Sequence, residues 1–176
     1  MLVWEIVALL AGLASIAVAA YIYVWVTKQE VGNPEVARYS SLVQVGAATY
    51  LRRLFQVLGI LAAILTVILL IAFGWRHALA FIVGAACSAA AAWTGMIIST
   101  KANARVAWAA RTGLAKALSV GFYSGSVMGL AVVGFALIGM TVLYMVFRDP
   151  DVVLGFSFGA STLALLAKAG GGIYTK

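Results

Sequence analysis

Five long apolar runs separated by short charged stretches set the pattern of this chain. Each approaches or exceeds the roughly twenty apolar residues needed to cross about 30 Å of hydrocarbon. The first covers residues 3–26, interrupted only by Glu5 near its start. Trp4 at one end, and Tyr21, Tyr23 and Trp25 at the other, suit the two interfacial belts of a spanning helix. The remaining runs cover residues 54–75, 78–100, 117–147 and 152–175. Their apolar residues are continuous and do not alternate in ten-residue blocks, which excludes a transmembrane β-barrel. The pattern predicts an all-α polytopic membrane protein with five transmembrane helices. Arg76 and His77 leave room for only a very short turn, so the second and third helices are expected to be antiparallel neighbours.

The connections and small residues refine this picture. Gly32, Asn33 and Pro34 break the first connection, residues 28–53, and a short helix is expected from Glu35 onward. The connection at 101–116 is rich in alanine and free of proline, as a helical extension would be. Gly84, Ser88 and Ala92 recur every four positions, as do Ala91 and Gly95, and Gly121, Gly125 and Gly129 repeat the device in the fourth run. That spacing lets two backbones approach closely in lipid. Arg148, Asp149, Pro150 and Asp151 close the fourth connection tightly.

Composition agrees: 65% of the 176 residues are hydrophobic and only 10% charged, too few charges for the surface of a soluble domain. A net charge of +7 could suggest a nucleic-acid partner, but most of the cations lie between apolar runs, where membrane orientation explains them better. Lys28, Arg38, Arg52 and Arg53 fall in the connection at 28–53, and Lys101, Arg105, Arg111 and Lys116 in that at 101–116. The alternate connections hold only Arg76 and Arg148. Positive-inside counting therefore places 28–53 and 101–116 in the cytoplasm, the N-terminus outside and Lys176 at the cytoplasmic face. The single Cys87 permits no internal disulfide and reads as a small packing residue.

The last run carries the candidate chemistry. On a helical projection Ser157, Ser161, Lys168 and Thr175 fall near one line, with Leu163, Leu166 and Ile173 opposite. Such a polar stripe should face other protein or water. A lysine at the bilayer centre costs about 2.5–3.5 kcal/mol on insertion scales, so Lys168 needs a carboxylate or a hydrated cavity. Two readings stand side by side. The helix continues and places Lys168 about 12 Å deeper than Lys176, or Gly170 ends it and Lys168 snorkels from the last turn. The glycine run is no P-loop, because the required spacing is absent.

Residues 46–53 (GAATYLRR), 100–105 (TKANAR), 113–118 (GLAKAL), 127–134 (VMGLAVVG) and 170–176 (GGGIYTK) resemble, in order, landmarks of the membrane-integral pyrophosphatases. These couple pyrophosphate hydrolysis to pumping of protons or sodium. The resemblance implies a bundle of sixteen helices of which this chain supplies the first five, a homodimer when complete, and a magnesium–pyrophosphate site at its cytoplasmic end. Lys176 matches the family lysine that contacts the pyrophosphate–magnesium complex. Lys168 matches a coupling and gate position usually held by arginine. A lysine there keeps the charge but loses the planar fork. Val45 also departs, since the family commonly has glutamate before this glycine.

In the family an Asp-rich, magnesium-holding segment follows that lysine. The acids here are Glu5, Glu30, Glu35, Asp149 and Asp151, none of them near Lys176. The chain is thus expected to be the N-terminal portion of the pump, carrying no metal ligand and no catalytic residue of its own. It is expected to be inactive alone and to need the remaining helices, with Mg2+ bound in the complete protein. The alternatives are a free-standing five-helix structural or assembly protein, and a small channel lined by Ser157, Ser161 and Lys168.

Overall fold

The computed structural model describes residues 2–174, and all five of its long elements are helices. They are α1 (Leu2–Thr27), α2 (Pro34–Phe73), α3 (Trp75–Ala110), α4 (Leu114–Phe147) and α5 (Pro150–Tyr174). Each contains a window long and apolar enough to cross a membrane.

Local chemistry places the breaks. Asn33 caps α2 by accepting a hydrogen bond from the Val36 amide at 3.0 Å, with Pro34 in the first turn, where its missing N–H costs nothing. No second break follows. The segment expected to be a short helix from Glu35 is continuous with the next span, giving a 40-residue helix about 60 Å long. Arg52 and Arg53 are exposed along it. The turn expected at Arg76 and His77 lies instead at Gly74, whose φ of 84° suits glycine. Both residues belong to the first turn of α3, where His77 Nδ1 lies 3.0 Å from the Phe73 carbonyl. The helical extension expected over 101–116 is present to Ala110, and α4 then starts at Leu114.

α3 is the hub: it packs against α2, α4 and α5, while α1 packs mainly on α4. The α3–α5 crossing is the closest. A Cβ added at Gly84 would run into the Phe156 carbonyl, and one at Gly159 into the Phe81 carbonyl. A Cβ at Gly155 would lie 2.9 Å from the His77 oxygen. Apolar burial gives helices little reason to associate in lipid, so backbone approach of this kind carries the packing. Gly84 and Gly95 meet the expectation, Gly95 receiving the Met128 side chain. Gly125 and Gly129 do not, because nothing lies within 4 Å of a Cβ there, and at Gly121 only Val106 does, at 3.9 Å. α4 makes its close contacts at Gly134, against Gly12 and Ile16 of α1, and at Gly139, against the Phe156 ring and Cys87.

Two buried clusters lie at opposite ends of the bundle. One joins Val26, Ile98, Ala102, Val120 and Val127. The other joins Ala80, Leu143, Val152 and Phe156.

Gly84→Ala and Gly159→Ala are each expected to push α3 and α5 apart, destabilising the bundle by about 1–3 kcal/mol. Gly46→Ala, with open space around it, should change little. Thermal melts in one detergent check this ranking.

Candidate functional site

The two ends of the bundle differ in chemistry. At one end α1 begins, α2 passes to α3, and α4 passes to α5. Glu5, only 7% exposed, forms an ion pair with Arg148, which is about half exposed. Arg148 ends α4 in the left-handed conformation at φ 52°. Its amide reaches the Tyr144 carbonyl at 2.8 Å. Asp149 accepts from the Asp151 amide at 3.0 Å and turns the chain into α5. The Trp75 and Phe147 rings, 5.7 Å apart, close the same end.

The opposite end is basic. Arg105 donates to the Gln29, Thr27 and Lys101 carbonyls at 3.0, 2.9 and 2.5 Å, and so fastens the end of α1 to α3. Lys101 donates to the Tyr23 hydroxyl at 2.8 Å. Arg111 stacks over Trp108 with 4.7 Å to the ring centre, and Trp108 packs on Gly32. From the sequence, Lys101, Arg105, Arg111 and Lys116 are expected to set orientation, with lipid headgroup contact in addition. Arg105 has a second role, satisfying the Thr27 and Gln29 carbonyls at the end of α1, and it leaves no sequence signal because these contacts join residues 78 and 76 positions apart.

Between the ends a cavity of about 670 Å³ opens among α2, α3, α4 and α5. Its walls are largely apolar, with Leu51, Phe55, Met128, Phe135 and Leu163 among them. Tyr50, Ser88, Ser99 and Lys168 supply the polar points. Lys168 is exposed at this cavity and has no ion-pair partner among the described residues. α5 continues through Gly170 to Tyr174, so the reading in which Gly170 ends the helix does not hold. Ser157 and Ser161 are exposed but do not line the cavity, so the three-residue channel stripe is not assembled around it. Lys176 and Thr175 lie outside the described residues. Tyr50 and Ser99 were not singled out as site residues. Both sit in helix interiors far from Lys168 in sequence, and only the packing of α2 and α3 brings them to the same cavity.

No group of three or more His, Cys, Asp or Glu side chains converges among the described residues. Glu5, Asp149 and Asp151 belong to one end, whereas Glu30 and Glu35 flank the start of α2 at the other. Magnesium takes several oxygen ligands, mainly carboxylate and water. The described residues therefore do not fit a magnesium site.

Long apolar helices, close glycine packing and charges sorted to opposite ends define a multi-pass integral membrane protein. Residues 13–176 match the family described as Inorganic H+ pyrophosphatase, and the chain belongs to it. It is 41% identical over 169 residues to the K(+)-insensitive pyrophosphate-energized proton pump of Methanosarcina mazei, covering 95% of this chain and 25% of that protein. It is 40% identical to the pump of the same description from Pyrobaculum aerophilum, covering 100% and 26%. It is 39% identical to the putative K(+)-stimulated pyrophosphate-energized sodium pump of Clostridium tetani, covering 95% and 25%. The chain thus spans about a quarter of the length of the curated relatives it matches. Proton and sodium pumps both occur among them.

Arg148→Ala should leave the buried Glu5 unpaired and lower stability by about 1–3 kcal/mol, discounted because Arg148 is half in solvent. Adding Glu5→Gln is expected to recover part of the loss. Equal melting temperatures for wild type and Arg148→Ala would show the pair to be inert.

Proposed function

We propose that this chain works as the N-terminal part of a pyrophosphate-energised ion pump, an inorganic diphosphatase of the membrane. The reading is supported by family membership and by one structural observation. α5 runs unbroken from the Glu5–Arg148 end, past the cavity, and through its glycines to Tyr174. A rigid helix of this kind joins an aqueous phosphate site at one end to the membrane interior.

On this reading Lys176 contacts pyrophosphate and Lys168 serves the gate and coupling region. A lysine ammonium placed at the cavity can attract or repel a passing cation and can neutralise a carboxylate from a neighbouring helix. Mg2+ would supply charge neutralisation in the complete protein, on ligands outside the described residues. The basic end, with residues 28–53 and 101–116, is the cytoplasmic one, and α1 starts outside. The complete pump is a homodimer. Separately, the five acids of this chain, divided between its two ends, cannot gather around one metal. These 176 residues are therefore proposed to hydrolyse no pyrophosphate by themselves.

In the complete protein, Lys176→Ala is expected to cut hydrolysis at least a hundredfold and raise the KM for pyrophosphate. Lys168→Ala should reduce ions moved per pyrophosphate hydrolysed, and Lys168→Arg should largely preserve that ratio. Paired hydrolysis and transport assays in sealed vesicles check both. Unchanged hydrolysis in Lys176→Ala, or an unchanged ratio in Lys168→Ala, would contradict the assignments.

A further inference from the structure

A second recess, of about 250 Å³, lies at the basic end where α1 and α3 finish and α4 begins. Lys28, Arg105 and Lys116 line it, one from each of these three places, together with the single carboxylate of Glu30. The three cations are differently held. Arg105 uses three of its five donors on the Thr27, Gln29 and Lys101 carbonyls, which fixes its guanidinium in place. Lys28 and Lys116 are exposed and make no ion pair among the described residues. Thr112 and Trp108 complete the wall. Three converging cations against one carboxylate leave a positive hollow of the size that a tetrahedral anion and its bridging waters fill.

Its level along the bundle narrows the source. Trp25 and Tyr123 pack edge to face with centroids 5.0 Å apart, and Trp108 carries Arg111 on its face. Aromatic side chains gathered at one end of spanning helices mark the headgroup layer. Basic pockets between transmembrane helices at that layer take lipid phosphate.

We propose that the recess formed by Lys28, Arg105 and Lys116 binds a phosphate-bearing anion, with an anionic lipid headgroup as its source in the bilayer. Arg105 is the fixed donor and the two lysines close over the phosphate from either side. Glu30 weakens binding and tunes it toward a phosphate that carries little charge, such as a lipid diester. None of this depends on Lys168, Lys176 or pyrophosphate hydrolysis.

The test uses the intact protein in nanodiscs of phosphatidylcholine containing a minor fraction of phosphatidylglycerol, with retained lipid counted by native mass spectrometry. Lys28→Gln with Lys116→Gln is expected to lower retained phosphatidylglycerol by roughly an order of magnitude or more. Glu30→Gln should raise it. Arg52→Gln with Arg53→Gln, which removes two exposed cations elsewhere on α2, should leave it unchanged. Displacement of the lipid by millimolar inorganic phosphate in wild type would assign the same recess to soluble phosphate. Resistance to displacement would assign it to lipid. Equal retention in wild type and the Lys28/Lys116 variant overturns the proposal, and so does an equal loss in the Arg52/Arg53 variant, because attraction would then be general surface charge.

Discussion

The crossing of α3 and α5, backbone against backbone at Gly84 and Gly159, is the contact on which the arrangement of this chain rests. Each helix presents a glycine where the other presents a main-chain carbonyl, so neither can tolerate a side chain without moving the whole pair. In lipid, where apolar surface gains little by being covered, such fit is the main source of association. It also fixes a register. With Gly159 seated on Phe81 and Gly84 on Phe156, the later turns of α5 pass along the cavity shared with α2 and α4, and Lys168 reaches it.

Charge then gives the bundle two unlike ends. Glu5 is buried against Arg148 at one, and Arg105 holds the Thr27 carbonyl of α1 and the Gln29 carbonyl just beyond it at the other. Both devices join α1, which packs mainly on α4, to elements distant in sequence. They use the same physics: a helix terminus or a buried carboxylate is costly in a low-dielectric setting unless a guanidinium answers it. Arg148 and Arg105 are thus fasteners of the bundle.

Much of the fold could be read in the order of residues, because a span needs only a long apolar run and the breaks need only Gly, Pro or Asn. Asn33 and Pro34 announced the start of α2, and Gly84 announced a close contact. The glycines at 121, 125 and 129 carried the same periodic signal without the contact. Spacing shows which helix face is smooth, and says nothing of whether another helix lies on it. Gly155 and Gly159, four apart on α5, have both the spacing and the contact, beside the more conspicuous stripe of serine and lysine. The turn falls at Gly74 and not at Arg76 and His77, because the positive φ that the break needs suits glycine, whereas charge alone does not break a helix. At the candidate site Lys168 stood out as a cation in an apolar run. Tyr50 and Ser99 did not, since only tertiary packing brings them to the same cavity.

The central proposal is that α5 carries the chain from the Glu5–Arg148 end to a basic end that lies in the cytoplasm. Its most direct test is the sidedness of single cysteines, placed at Thr112 and at Asp149 in a Cys87→Ser background, toward a membrane-impermeant maleimide. Labelling of position 149 in intact cells, with position 112 labelled only after the membrane is opened, is the expected result. The reverse pattern would place the end of α5 outside and contradict the account.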